Sequence, residues 1–495
     1  PDADDDFQTA PCRRDPPPLR RAERLGVSVT LSSLARPRAA VLIAALGMLA
    51  HGGALWHEFT WDDGYNVVHE AGIRDLHNVP AFFTRAWGAG AATDMDRQLN
   101  TGYWRPLTTT SYALDHALFG LSPRAFHATN VWLHGLVSAL VVLLGFRLFP
   151  APGRDRLGVL LAGALFAVHP VHTEAVQVVS YRTDLLAALF SLATVVIWTG
   201  GNGSPSVLRR ALSTMCYAAG LASKEMAVPA IALCGLLDAV REPDPWPIFN
   251  RASRVLRLWP LALVLVAYLL IRAQLLAPSP YTWFGDASGS TIAATMLGVL
   301  ARYAGLLLVP WPLNPSYDWS ILRPETSFLA PMPLLGLGLL ASAFVTIPRV
   351  GRRDTRYRLA TPWLLLCLLP VSQLVPIVVA LGERFLYLAC VGPLLVACVA
   401  WARWAPERLS PWLASGVPAL LLTCFIALTA VRTVDWRTNR SILEANVRDW
   451  PQSYNAVFGL AALEERDGNP TLAAELYRRL GREDDARRVE SYRTR

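Results

Sequence analysis

The chain has 495 residues, of which 53% are hydrophobic and only 17% charged, and its mean hydropathy is +0.32. Soluble domains carry roughly 25% charged residues, so a single water-soluble core is excluded, and the apolar residues run instead in stretches near the ~20-residue length of a bilayer-crossing helix. The net charge of +8 does not point to nucleic acid, because the basic residues sit in short clusters between apolar runs rather than along one aromatic-lined face.

Residues 1–37 are polar and rich in Pro and Arg; they are expected to be a disordered cytoplasmic leader with no cleavable signal peptide. Eleven membrane-spanning helices are predicted after it, at about 39–56, 126–148, 157–171, 184–200, 210–222, 226–240, 257–276, 329–347, 360–380, 385–402 and 411–431. Within the membrane domain, 38–432, two loops are large, 57–125 and 277–328. Basic residues alternate between the gaps: seven up to Arg38, four in 241–257 and five in 349–358, against five in the whole of 57–125 and three in 272–323. The excess of positive charge on cytoplasmic loops places the leader inside and both large loops outside. A further apolar run, Thr291 to Val309, is assigned as an interfacial or re-entrant helix, since a twelfth span would move the Arg352 to Arg358 cluster to the wrong side. Eleven spans leave the carboxyl tail, 433–495, outside.

The first outer loop opens with Glu58, then Trp61, Asp62 and Asp63. A carboxylate held near a partly water-free surface can act as a general base toward a hydroxyl, although either Asp can equally cap a loop helix. YWRPLT follows, Tyr103 to Thr108, with Arg105. All nine histidines precede residue 173, which suggests a polar, water-accessible vestibule on the outer side. HPVHTEAV, His169 to Val176, and YRTDLLA, Tyr181 to Ala187, put His169, His172, Glu174, Arg182 and Asp184 where a membrane protein should avoid ionisable groups. His169, His172 and Glu174 carry atom types that suit zinc, but Pro170 interrupts the helix and no second ligand cluster follows, so a divalent metal is not favoured and no cofactor is assigned. Lys224 with Glu225, and Glu383 with Arg384, pair a cation with an anion at predicted outer helix ends. Such pairs can anchor a helix; alternatively Arg182, Lys224 and Arg384 converge on one phosphate.

The tail changes character. Asn455 to Leu480 reads as one tetratricopeptide repeat, with Leu460, Ala461, Gly468, Ala473 and Tyr477 near the expected positions, and a single repeat needs something to dock on, the membrane domain or another protein. The cysteines are scattered without ligand spacing and read as small core residues.

Taken in order, Trp61–Asp62–Asp63, YWRPLT, HPVHTEAV with YRTDLLA, SKE at Ser223 to Glu225, PWPLNPSYDWS at Pro310 to Ser320, and GERFLYL from Gly382 to Leu388, ahead of a repeat tail, resemble the transmembrane and tetratricopeptide-repeat-containing (TMTC) family over about 39–480. The resemblance implies an all-α GT-C glycosyltransferase fold and transfer of a sugar, a mannose-like hexose, from a polyprenyl phosphate to an acceptor hydroxyl with inversion. It implies Asp62 as the catalytic acid residue of the first outer loop, with Asp63 its neighbour. Arg182, Lys224 and Arg384 would then hold the donor phosphate, and Arg105, His169, His172, Glu174, Asp184, Glu225 and Glu383 would line the site. Expected partners are membrane lipid, the polyprenyl-phosphate sugar and a protein acceptor reached through the tail, and not nucleic acid. The family typically has many repeats where this chain has about one. With Lys224 the only lysine, the Arg-rich composition suggests a bacterial inner membrane. A lipid flippase or a non-catalytic scaffold are the competing readings.

Overall fold

Helices follow the apolar runs in the computed structural model, which describes residues 36–87, 102–201, 205–241, 256–276, 282–349 and 358–491. The expected leader and most of the Arg352 to Arg358 cluster lie outside the described residues. In chain order the principal helices are α1 (Arg36–Ala50), α2 (Pro106–Phe119), α3 (Pro123–Leu148), α4 (Arg154–Ala167), α5 (Arg182–Trp198) and α6 (Val207–Leu221). They continue with α7 (Ala230–Arg241), α8 (Trp259–Leu275), α9 (Gly289–Leu308), α10 (Pro331–Arg349), α11 (Ala360–Leu368), α12 (Val391–Arg408) and α13 (Pro411–Asp435). The tail holds α14 (Asn439–Asp449), α15 (Tyr454–Arg466), α16 (Pro470–Arg479) and α17 (Glu483–Glu490). No strand occurs among the described residues.

The chain is a multi-pass membrane protein. Four stretches, Pro123–Leu148, Val179–Trp198, Gly289–Leu308 and Pro411–Asp435, are long and apolar enough to cross a bilayer, and the number rises to six if each of two bent helix pairs is one span. Three further predicted spans, 257–276, 329–347 and 360–380, coincide with shorter apolar helices, Trp259–Leu275, Pro331–Ser342 and Ala360–Val371. The Gly289–Leu308 helix meets the length and hydropathy requirement on its own, so the expectation of an interfacial or re-entrant helix at 291–309 rests on charge topology alone.

Several boundaries move for local reasons. α1 stops at Ala50, and a short 3-10 turn, Gly52–Trp56, replaces the last part of the predicted 39–56 span. Pro370 ends α11 in another turn, Leu369–Val371, because its ring removes a backbone donor and clashes with the preceding turn. More important, the predicted 157–171 and 385–402 helices are broken. Arg154–Ala167 and Pro170–Gln177 meet at 46°, and Glu383–Ala389 and Val391–Arg408 at 58°. Non-helical backbone at membrane depth is tolerated only where it is buried in protein or lines a cavity, and both breaks lie in the core.

α3 is the centre of the bundle, with Val137, Val141, Val142 and Leu144 fully buried in the main apolar cluster, to which α1, α4 and α5 also contribute. α4 meets α12 closely: a Cβ on Gly158 would stand 2.5 Å from the Val399 Cα, so any larger residue would push the two backbones apart. Opposite the large loops, Arg403 pairs with Asp155 at 2.5 Å and Arg154 with Glu407 at 2.6 Å.

In the tail, α14 to α17 stack in sequence around Val457, Ala461, Ala473, Tyr477, Ala486 and Val489. α15 and α16 form the hairpin expected for 455–480, turning at Gly468 with φ +83°. The tail docks on the membrane domain. Asp318 accepts from Ser453 Oγ at 2.9 Å and Asn455 N at 2.8 Å, and Asn455 Nδ2 donates to Ser316 Oγ at 2.8 Å. Trp61 packs on the tail core from the first large loop. Both large loops and the tail therefore share one face of the molecule.

Candidate active site

On that face a cavity of about 190 Å³ is lined by Asp62, Tyr65, Trp87, Tyr103, Arg105, Tyr181, Lys224, Glu225, Arg384 and Phe385, among others. Its parts come from distant segments. The first outer loop brings Asp62, the turn before α5 brings Tyr181, the α6–α7 connection brings Lys224 and Glu225, and the break before α12 brings Arg384.

Asp62 is the carboxylate that faces this space. Its Oδ1 accepts from the Tyr65 hydroxyl and its Oδ2 from the Tyr181 hydroxyl at 2.9 Å. Two O–H donors fix the orientation of the carboxylate. Asp63, next in sequence, does something else. It is fully buried, is not among the residues lining the cavity, and accepts backbone N–H groups from Thr60 at 3.1 Å, Val179 at 3.2 Å and Ser180 at 2.7 Å. Asp63 thus fastens the first loop to the turn that carries Tyr181, and the expectation that it flanks Asp62 in catalysis is corrected to an anchoring position. Burial raises its pKa to about 7, against the three backbone donors that favour ionisation. Asp63 begins a helical turn without capping it through its side chain.

Three cations meet the cavity, each backed by a carboxylate. Lys224 Nζ donates to both Asp184 oxygens at 2.8 and 2.7 Å. Arg384 is clasped by Glu174, which takes its side-chain N–H and its backbone N–H, the latter at 2.7 Å, and its guanidinium lies 4.3 Å from the Tyr181 ring centre. Arg105 stands between the Trp87 and Tyr103 rings, 4.4 and 4.3 Å from their centres, and reaches Glu225 at 3.0 Å. Against its burial, Arg105, Lys224 and Arg272 hold Glu225 well below the usual carboxylate range, at about 2.

Arg182 does not join them. Its side chain is fully buried, pairs with Asp115 at 2.6 Å, and donates to Asn130 Oδ1, the Phe126 carbonyl and Ser111. Every arm of the guanidinium is used to tie α5 to α2 and α3, so the expected convergence of Arg182 with Lys224 and Arg384 is corrected: Arg105 takes that place. The histidines also depart from expectation. His169 and His172 have no exposed surface and do not line the cavity; they belong to an interior group in which His134 bonds the Tyr387 hydroxyl at 2.7 Å and His51 meets His134 edge-on, 4.6 Å between ring centres. His169 turns one nitrogen to the Leu307 carbonyl and the other to the Val171 N–H, while Glu174 is taken by Arg384. These three side chains go to separate partners, and no group of three or more potential ligands is arranged around a metal among the described residues. Glu383 stands behind the cavity and accepts from Asn314 N and, at 3.0 Å, the Tyr317 hydroxyl.

Of the aromatic walls, Tyr103 and Phe385 lie in the YWRPLT and GERFLYL motifs, whereas Tyr65 and Trp87 were not singled out from sequence. Tyr65 stands three positions beyond Asp62.

No family model matches the chain. Similarity to known proteins is nevertheless clear over long stretches. The Drosophila melanogaster protein O-mannosyl-transferase Tmtc1 is 32% identical over 302 residues, which is 56% of this chain and 34% of that protein. The mouse protein O-mannosyl-transferase TMTC4 is 26% identical over 498 residues, 89% of this chain and 66% of that protein, and mouse TMTC3 is 26% identical over 450 residues, 81% and 46%. These relatives all carry the same name. The chain spans about a third of the Drosophila Tmtc1 length and 66% of mouse TMTC4.

Proposed function

We propose that this chain belongs with the TMTC proteins as a GT-C-type membrane glycosyltransferase. It would move a mannose-like hexose from a polyprenyl phosphate to a protein hydroxyl on the face that carries the tail, and eleven spans would put that face outside the cytoplasm. The Arg-rich composition favours a bacterial inner membrane. The tail, with its one tetratricopeptide-like hairpin, would present the acceptor.

The observation that carries this reading is the pairing, in one cavity, of a hydroxyl-oriented carboxylate, Asp62, with three cations, Arg105, Lys224 and Arg384. Asp62 takes the proton of the acceptor hydroxyl as its oxygen attacks the anomeric carbon. The bond from that carbon to the phosphate oxygen breaks, the configuration inverts, and the lipid phosphate leaves with the negative charge. Lys224 and Arg384, with Arg105, stabilise that charge, and because their backing carboxylates hold them in place beforehand, little reorganisation is required. No metal takes part in this scheme.

The test is Asp62→Asn, which keeps size and removes the proton acceptor. Purified protein in lipid nanodiscs is given a panel of polyprenyl-phosphate sugars and Ser/Thr-rich peptides. A positioned general base contributes about a hundredfold to ten-thousandfold, so donor consumption should fall at least ~100-fold with donor binding retained. Near-normal transfer by the correctly inserted variant refutes the assignment.

A further inference from the structure

We infer that the tail is a working part of the catalytic centre, with Asn439 the positioning residue through which it sets Asp62; this inference rests on the reading of Asp62 given above.

Trp61 immediately precedes Asp62 and has φ +55°, in the left-handed region that a bulky residue seldom enters and keeps only where its surroundings enforce it. Two contacts enforce it here, and both come from the chain after α13. The Trp61 N–H donates to Asn439 Oδ1 at 2.7 Å. The Trp61 ring packs edge-on against Trp436, 6.4 Å between centres, and touches the tail core. Asn439 is itself fixed, as the first residue of α14, whose amino end is locked by reciprocal bonds between Thr438 and Ser441. Backbone pairing of Glu58 N with the Arg437 carbonyl at 3.1 Å holds the start of the same loop.

The connection reaches Asp62 from a second direction. Trp436, Ile442 of α14, Val178 and Tyr181 form one small apolar cluster, against which Trp61 packs. Tyr181 is the residue whose hydroxyl bonds Asp62 Oδ2. The backbone entering Asp62 and the side chain that orients its carboxylate therefore rest on the same piece of tail. If Trp61 relaxed to an ordinary negative φ, the peptide leading into Asp62 would rotate and the carboxylate would leave its two hydroxyl donors. The tail accordingly does more than present an acceptor: a partner that shifts α14 changes turnover at Asp62 without entering the cavity.

The experiment uses the full chain in nanodiscs with polyprenyl-phosphate mannose and a Ser/Thr-rich peptide, and compares Asn439→Leu, Asn439→Asp, Asp62→Asn and the Asp62→Asn/Asn439→Leu double variant. Asn439→Leu removes the acceptor and should lower kcat at least tenfold while donor KM stays within about twofold. Asn439→Asp keeps an acceptor oxygen at the same place and should stay near the parent. In the Asp62→Asn background the Leu change should cost almost nothing more, since residues acting through one group are not additive. Equal losses from Asn439→Leu with and without Asp62, or parent-like kcat in Asn439→Leu while Asp62→Asn is inactive, overturn the inference. If Asn439→Leu fails to fold, Asn439→Ala and Trp436→Phe carry the same comparison. Parent-like transfer by Asp62→Asn refutes the function proposed above instead, so the two failures are distinguishable.

Discussion

The Tyr181 hydroxyl donates a hydrogen bond to Asp62 at 2.9 Å while its ring lies 4.3 Å beneath the Arg384 guanidinium. One side chain thus touches both the group proposed to take a proton and a group proposed to hold the leaving phosphate. Tyr181→Phe separates these contacts by keeping the ring and deleting the donor. A hydrogen bond to a charged group is worth about 1.5–3 kcal/mol, so kcat should drop roughly tenfold to a hundredfold, with donor affinity, measured by lipid competition, little changed. A variant that loses donor affinity instead would show that the ring contact is the one that matters.

Arg384 and Arg182 should behave differently although both are buried arginines with carboxylate partners. Removing one partner of a buried pair costs about 3–5 kcal/mol, so Arg384→Gln and Arg182→Gln should both lower thermal stability. Adding Glu174→Gln to the first and Asp115→Asn to the second should recover much of it. Donor use distinguishes them: Glu174→Gln/Arg384→Gln should remain defective because a cavity cation is gone, while Asp115→Asn/Arg182→Gln should transfer sugar at close to the parent rate. Equal rates in the two stabilised pairs would remove Arg384 from the phosphate site.

Asp63 predicts a pH dependence of stability. Burial raises its folded pKa to about 7 from an ordinary 3.8, so the native state keeps a proton that the unfolded chain has lost, and charging Asp63 works against folding. Stability should therefore decline as pH rises from about 4 to about 7 and level off above that. Unfolding temperatures of the parent and Asp63→Asn, compared at pH 5 and pH 8 in detergent, should show a smaller decline in the variant, whose side chain cannot ionise. An identical decline would assign the effect elsewhere.

The eleven-span topology makes a separate prediction. A reporter active only outside the cytoplasm should work when fused after Arg495 and fail when fused after Asp354. The reverse pattern, or activity at both sites, refutes it.

The residues that were legible in sequence are those whose chemistry conflicts with their surroundings. Asp184, Lys224, Glu174 and Arg384 are ionisable groups next to apolar helices, and that conflict is visible without knowing what they touch. Their pairing was not visible. Lys224 reaches back 40 positions to Asp184, and Arg384 reaches 210 positions to Glu174, because partner choice depends on how each helix is rotated about its axis and where it crosses its neighbours. The same limit misplaced Arg182. Its neighbours in sequence, Tyr181 and Asp184, touch the site or its backing shell, but one step around the helix aims Arg182 at Asp115 on the other side. The Asp62–Asp63 pair shows the effect at its smallest scale: two identical side chains, consecutive, one directed to the cavity and the other to the Val179–Ser180 backbone. The long spans were legible from hydropathy and the interruption at Pro170 from its residue type, whereas the 46° angle there and the break at Cys390 were not, since Pro marks where a helix can bend but not the angle its neighbours impose.

The bend at Pro170 restricts which substitutions this protein can tolerate far from its chemistry. Glu174 lies one turn beyond the bend, on a segment tilted 46° from α4, and it reaches Arg384 only because of that tilt. A chain that ran straight from Arg154 to Gln177 would keep every apolar contact of α4 and still swing the carboxylate away by several ångströms, at a rise of ~1.5 Å per residue. Arg384 would then stand in the core without its counter-charge. Replacing Pro170 with a good helix former, a change that stabilises many helices, should for this reason weaken this one, and the damage should appear 214 positions later, at Arg384.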